Sequence, residues 1–376
     1  MFHSKVKNNV LLSLLGTVAG VQGVQAAKTD KVPNIVYILC DDLGIGDVSA
    51  YNPTSKIRTP NIDQFANTGV RFTDVHTGSS VSTPTRYGIL TGRYAWRTEL
   101  KSGVLFGYSK GMITPGRSTI ASFLRTQDYN TACIGKWHLG WDWANINAGE
   151  KQVDFSKPVK NGPKDAGFDY SYSIVGSLDM PPYVYVENSL PVGIPKDTCV
   201  GGKSLGFYRS GLIAQGFKQE ETLGVFTAKA LQYIRDKAGD EKPFFLYLPL
   251  TAPHTPILPI KKFQGQSGLT PYGDFVLMCD DVLRQVVAQL KKSGIYDNTI
   301  VVFTSDNGCS KAADIPSMIA KGHYPSGIYR GYKSDIWDGG HRVPFIVSWP
   351  KKIKPKVSDK LICTTDFFRT MAEMKM

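Results

Sequence analysis

Two strand-like runs end in oxygen-donor side chains. Asn34–Cys40 is continuously apolar apart from its first residue and leads directly into Asp41-Asp42-Leu43-Gly44. Adjacent carboxylates at the end of a buried strand repel each other, and a divalent cation relieves that repulsion; hard oxygen donors suit Ca²⁺ or Mg²⁺. Alone, the pair reads first as an exposed acidic turn. A second apolar run, Thr299–Thr304, ends in Ser305-Asp306-Asn307-Gly308, where the glycine permits a sharp turn. Two such ends can converge on one ion. Asp41, Asp42, Asp306 and Asn307 are therefore candidate metal ligands, and a donor set without Cys or His favours Ca²⁺ or Mg²⁺ over zinc.

A third segment, Ser82-Thr83-Pro84-Thr85-Arg86-Tyr87-Gly88-Ile89-Leu90-Thr91-Gly92-Arg93, reads as a helix with Pro84 in its first turn. Ser82 then lies at the helix N-terminus, where free N–H groups and the dipole favour an anion. Arg86 falls four residues on, on the same face. Lys136 and His138 are two apart and share one face if that stretch is extended. His254 lies between Pro253 and Pro256, and Lys333 precedes a Gly-Gly-His-Arg run. Taken singly, these residues read as a capped helix, a structural histidine and a solvated lysine.

The elements that must position them alternate. Strand candidates are Asn34–Cys40, Thr131–Ile134, Phe244–Leu248, Thr299–Thr304 and Phe345–Trp349; helix candidates are Asn61–Ala66, Pro84–Leu90, Thr119–Arg125, Thr222–Asp236 and Tyr272–Lys292. This predicts an α/β fold with a mostly parallel central sheet and helices on both faces. Such sheets bind ligands beyond the carboxyl ends of their strands, where the polar clusters fall. Residues 141–219 break the alternation and read as an irregular, substrate-facing insert carrying Tyr183 and Tyr185.

The chain has 376 residues, of which 42% are hydrophobic and 20% charged, a composition that excludes disordered and fibrous classes. Lys and Arg number 44 against 32 Asp and Glu, a formal charge of +12, so an anionic partner is one reading and solubility the other. No zinc-finger spacing or other nucleic-acid module is present. Lys5 and Lys7, the short apolar stretch Val10–Val21 and Val24-Gln25-Ala26 read as a cleavable export signal over residues 1–26, with no membrane span after cleavage. Residues 27–376 are then one catalytic domain, exported to the periplasm or outside the cell. The six cysteines match no metal motif; export permits disulfides without specifying pairs.

Together the segments resemble the formylglycine-dependent (type I) sulfatases of the alkaline-phosphatase-like superfamily, in their serine-type bacterial form. Ser82-Thr83-Pro84-Thr85-Arg86 with Leu90-Thr91-Gly92-Arg93 is similar to the family signature. Asp41-Asp42-Leu43-Gly44 and Ser305-Asp306-Asn307-Gly308 resemble its two metal half-sites. Gly135-Lys136-Trp137-His138-Leu139-Gly140, Ala252-Pro253-His254-Thr255-Pro256, and Lys333 with Trp337-Asp338-Gly339-Gly340-His341-Arg342-Val343-Pro344 resemble its remaining segments, in order. The resemblance runs from about residue 33 to the C-terminus.

The resemblance implies that a radical maturase oxidises Ser82 to formylglycine, whose hydrate attacks sulfur by covalent catalysis. It implies Ca²⁺, with Mg²⁺ as the alternative, held by Asp41, Asp42, Asp306, Asn307 and the modified Ser82. Arg86 and Lys136 would stabilise the ionised nucleophile, and His138 would be the base that collapses the sulfated intermediate. His254 would serve the leaving oxygen as acid, and Lys333 would hold sulfate oxygens. His341 and Asp179 are candidate contacts to sugar hydroxyls. The implied activity is hydrolysis of sulfate esters on a sulfated glycan. Family members continue into a smaller C-terminal subdomain, so the resemblance also implies that this subdomain is missing from the present sequence. Two other readings stand beside it: an alkaline-phosphatase-like phosphoesterase, which a chain of six histidines supplies poorly with zinc ligands, and a truncated, inactive sulfatase that only binds polyanions.

Overall fold

The structure, a computed structural model, describes residues 31–374. The export-signal expectation for residues 1–26 lies outside the described residues. The described residues form β1 (Asn34–Cys40), β2 (Val70–Phe72), β3 (Val75–His76), β4 (Asn130–Lys136), β5 (Tyr170–Ile174), β6 (Val186–Glu187), β7 (Leu190–Pro191), β8 (Pro195–Cys199), β9 (Gly211–Ala214), β10 (Phe244–Pro249), β11 (Thr299–Ser305), β12 (Phe345–Ser348), β13 (Lys356–Ser358) and β14 (Ile362–Cys363). The α-helices are α1 (Pro60–Ala66), α2 (Ser82–Thr91), α3 (Ile120–Thr126), α4 (Thr222–Lys237), α5 (Pro271–Lys292), α6 (Ile315–Ala320), α7 (Asp338–His341) and α8 (Asp366–Glu373).

The central sheet has the order β13-β2-β12-β11-β1-β10-β4-β5-β6-β7. Its middle, β11-β1-β10-β4-β5, is parallel throughout, while β12 and β6 join antiparallel at either side. The apolar runs are continuous because both sheet faces are covered. Along β1, Val36, Ile38 and Cys40 enter one core with α1, α4 and α5, while Ile35, Tyr37 and Leu39 enter the other with α2, α3 and α8. The helices carry the end signals their boundaries need. In α5 the Thr270 side chain accepts from Gly273 N, Pro271 opens the first turn, and Lys291 and Lys292 close the last.

The five strand candidates and five helix candidates correspond to observed elements to within two residues at each end. The stretch 141–219 is less irregular than its composition suggests. It holds β5, β6 and β7, which extend the central sheet, and the separate hairpin β8–β9. These strands have two to five residues, too short for a readable period. Tyr183 and Tyr185 pack against neighbouring rings. Tyr183 is buried with its hydroxyl on Arg209 O, and the Tyr185 ring packs 4.6 Å from that of Phe217. All six cysteines are free thiols, four of them buried. Among the described residues no helix is long and apolar enough to cross a membrane.

Burial on both faces of β1 makes neighbouring positions equally sensitive. Ile38→Ala and Leu39→Ala should each cost about 2–5 kcal/mol in urea unfolding. A strand covered on one face only would lose much less at one of the two.

Candidate active site

The parallel strands β11, β1 and β4 all stop at the same edge of the sheet, and each delivers polar residues there. The turn after β1 presents Asp41 and Asp42, the turn after β11 presents Asp306 and Asn307, and β4 ends on Lys136. The turns are tied to one another. Asp42 N donates to Asp306 Oδ1 at 3.1 Å, and Leu43 N donates to Ser305 Oγ at 3.0 Å. Gly308 allows a close approach: a Cβ there would lie 1.9 Å from Gly339 O.

Ser82, the first residue of α2, sits at the hub. Its hydroxyl reaches Asp306 Oδ2 at 2.6 Å and Asp41 Oδ1 at 3.1 Å, and accepts from Lys136 Nζ at 3.2 Å. Helix α2 begins at Ser82 rather than at Pro84, which places Arg86 one turn above it. Arg86 Nη2 reaches the same Asp306 Oδ2 at 2.7 Å and lies 3.3 Å from Asp41 Oδ1. Lys136 Nζ donates to Asp41 Oδ2 at 2.7 Å, and Lys333 Nζ lies 2.8 Å from Asp42 Oδ1. Three carboxylates thus face three cations. His254 Nε2 lies 3.7 Å from Asp42 Oδ2, while its Nδ1 lies 2.5 Å from Thr255 O. The His254 and Lys333 side chains, 10% and 17% exposed, form the solvent face of a site that is otherwise closed.

Burial and charge shift these groups against each other. Burial works to raise the Asp41 carboxyl, but Lys136, His254 and Arg86 outweigh it and hold it down at about 2. Asp42 is lowered too: burial opposes the shift, while Lys333 and His254 drive it. Lys333 is raised, since Asp42, Asp41 and Asp306 overcome its burial. Burial, then the nearby Lys136 and Arg86, press His138 well below its usual range, so its ring is neutral.

His138 does not extend β4 as the two-residue spacing predicts. The strand stops at Lys136 and His138 takes a left-handed backbone, φ 55°. This turn carries the ring away from the strand's alternation. Its Nε2 faces Leu105 O at 2.8 Å, and Nδ1 is buried without a partner. Asp179 and His341 lie outside the hub. Asp179 pairs with Arg209 and keeps Oδ1 buried and unpartnered. His341 sits in α7 against His76.

The site suits a hard divalent cation. Asn307 donates from Nδ2 to Asp42 Oδ1 and Gly308 O, which leaves Oδ1 buried with no partner. That oxygen and the carboxylates of Asp41, Asp42 and Asp306 form an oxygen donor set around Ser82.

Sequence reasoning missed the support beneath Asp42. Asp47 and His323 form a fully buried pair at 2.8 Å, and Tyr272 Oη reaches both Asp47 Oδ2 at 2.5 Å and Asp42 O at 3.0 Å. Lys56 N donates to His323 Nδ1, so Nε2 carries the hydrogen toward Asp47. The only hint was a third aspartate beside two glycines in Gly44-Ile45-Gly46-Asp47.

The profile of the Sulfatase family matches residues 33–374, and the chain belongs to that family. It is 36% identical to the N-acetylgalactosamine-6-O-sulfatase of Bacteroides thetaiotaomicron, over 92% of this chain and 73% of that protein. It is 31% identical to human arylsulfatase A over 92% of this chain, and spans 64% of that relative's length. A solved Bacteroides thetaiotaomicron structure, from work on the metabolism of multiple glycosaminoglycans, superposes with a TM-score of 0.81 at 34% identity, covering 91% of this chain and 77% of the other. The predicted α/β architecture is that of the sulfatase and alkaline-phosphatase-like structures.

Charge balance in the hub can be tested directly. In EDTA, Lys136→Met leaves Asp41 buried with its nearest cation removed, and should cost about 3–5 kcal/mol in urea unfolding. A loss under about 1 kcal/mol would mean that Asp41 does not depend on Lys136.

Proposed function

We propose that the chain is an exported sulfatase that hydrolyses sulfate esters on a glycan, and that 6-O-sulfated N-acetylgalactosamine is its substrate class. The observation that carries the reading is Ser82 held between Asp41, Asp306, Lys136 and Arg86. The 36% identical relative supports the choice of sugar. Formylglycine made from Ser82 by a radical maturase would supply the nucleophile toward sulfur. Ca²⁺, or Mg²⁺, bound by Asp41, Asp42, Asp306, Asn307 and residue 82, would supply polarisation of the sulfate and favour an anionic nucleophile.

The chain's own groups divide the remaining work. Arg86 and Lys136 surround the position 82 side chain with positive charge and favour its ionised form. Lys333, on the solvent face, takes the sulfate oxygens. His254 faces a carbonyl with Nδ1, so Nε2, 3.7 Å from Asp42 Oδ2, is the atom that delivers a proton to the departing sugar oxygen when the ring is charged. His138, neutral and with an unpartnered Nδ1, is the base that removes a proton near residue 82.

Asp179 Oδ1 is a free acceptor for a sugar hydroxyl. His341 lines, with Ser80 and Ser334, a cavity of about 540 Å³ that would receive the sugar ring. Leu105, whose carbonyl holds His138, also lines a cavity of about 870 Å³ that carries Arg93, Arg97, Lys101, Lys110 and Arg117 against one acid, Glu99, a surface suited to a polyanionic chain. The N-terminal signal would send the protein to the periplasm or beyond.

The test is sulfate release from a 6-O-sulfated N-acetylgalactosamine oligosaccharide by protein matured in its native host. Ser82→Ala should abolish turnover. His254→Ala should lower kcat by about 10²–10⁴ and leave KM within a few-fold. Equal loss of binding and turnover would remove His254 as the acid. Faster hydrolysis of a phosphate monoester than of any sulfate ester would favour the phosphoesterase reading, and glycan binding without turnover in the matured protein would favour an inactive binder.

A further inference from the structure

We propose that His76, His341 and Asp338 form a second metal site, for a borderline transition cation such as Zn²⁺, separate from the oxygen-donor site at Ser82. The proposal rests on ring geometry and does not depend on the sulfatase reading. His76 ends β3 and His341 ends α7; Thr77 N donates to His341 O at 2.8 Å and Val343 N to Val75 O at 3.1 Å, which fixes the two segments side by side. The Nδ1 atoms of the two rings face each other at 2.9 Å.

The outer nitrogens decide the protonation. His76 Nε2 lies 3.0 Å from Asp74 Oδ1, and His341 Nε2 lies 3.0 Å from Ile336 O. A carboxylate and a carbonyl only accept, so each Nε2 carries a hydrogen. In neutral rings both Nδ1 atoms are then bare lone pairs pointed at one another, an arrangement that a bound cation or a shared proton relieves. This is the pattern of metal-binding histidines, whose second nitrogen donates to a carboxylate or backbone carbonyl.

A third donor converges on the same point. One ligand atom each from His76, His341 and Asp338 lie within 4.8 Å of one another. Two imidazoles and one carboxylate with an open fourth position are a zinc donor set. Arg342 reaches Asp74 at 2.8 Å and Asp338 at 3.4 Å, orienting both carboxylates, and these two acids against one guanidinium leave the cluster an excess of negative charge. The His76 and Asp338 side chains, 22% and 46% exposed, leave an entry path. Both histidines line a cavity of about 540 Å³.

A single proton shared by the two Nδ1 atoms would also relieve the facing lone pairs, but it would use no third donor. The test separates the two. Full-length protein is stripped with EDTA, returned to excess Ca²⁺ to fill the oxygen site, and titrated with Zn²⁺ or Co²⁺. The wild type should take up one equivalent, with the intense visible absorption of low-coordinate Co²⁺. His76→Gln, His341→Gln and Asp338→Asn should each bind at least about tenfold more weakly and lose that absorption. Folding of each variant is checked by thermal melting, and the wild-type titration stands if one fails to fold. No uptake by the wild type, the shared-proton outcome, overturns the proposal, as does undiminished uptake in folded His76→Gln protein.

Discussion

Everything in this molecule is arranged around the burial of three carboxylates at one sheet edge. Asp41, Asp42 and Asp306 are at most 1% exposed, and so many buried negative charges in so small a volume are tolerable only if each is matched. Lys136, Lys333 and Arg86 provide that match, each from a different part of the chain. The cost of removing a single partner is therefore concentrated at the site. The side chain of residue 82 sits among these matched charges, against Asp306, Asp41 and Lys136.

The sheet exists to deliver these charges. Parallel strands point their carboxyl ends the same way, and β11, β1 and β4 finish together because their register is set along nearly their whole length. Turns beyond the strands must then pass very close to one another. Gly308 meets the carbonyl of Gly339, and Gly135, at φ 135°, meets that of Pro249 where a Cβ would lie 1.9 Å away. Beneath them Tyr272, Asp47 and His323 hold the Asp42 backbone from α5 and from the loop after α6.

What was legible in the sequence follows from this physics. Strands buried on both faces leave unbroken apolar runs, so β1, β10 and β11 could be bounded within a residue. Acids directly after such runs stand out for the same reason, and the Ser82–Arg86 spacing is a helical repeat. What was hidden depends on contacts distant in sequence. His138 leaves the strand because its backbone turns left-handed and its ring docks on Leu105; nothing within two residues announces that. His76 gains meaning only from His341, 265 residues away. The short strands of 141–219 carry too few residues to show a period, and the packing of the Tyr183 and Tyr185 rings on Phe217 is a contact across more than thirty residues.

The account's central claim is that Ser82 becomes the nucleophile, and the most direct test is the mass of the tryptic peptide Phe72–Arg86 from protein made in its native host. Conversion of the hydroxymethyl group to an aldehyde removes two hydrogens, a covalent change of roughly two mass units. The account predicts that loss, located at residue 82 by fragmentation. A peptide at the unmodified mass would contradict it, because the chain would then carry an ordinary serine among its matched charges and no formylglycine nucleophile.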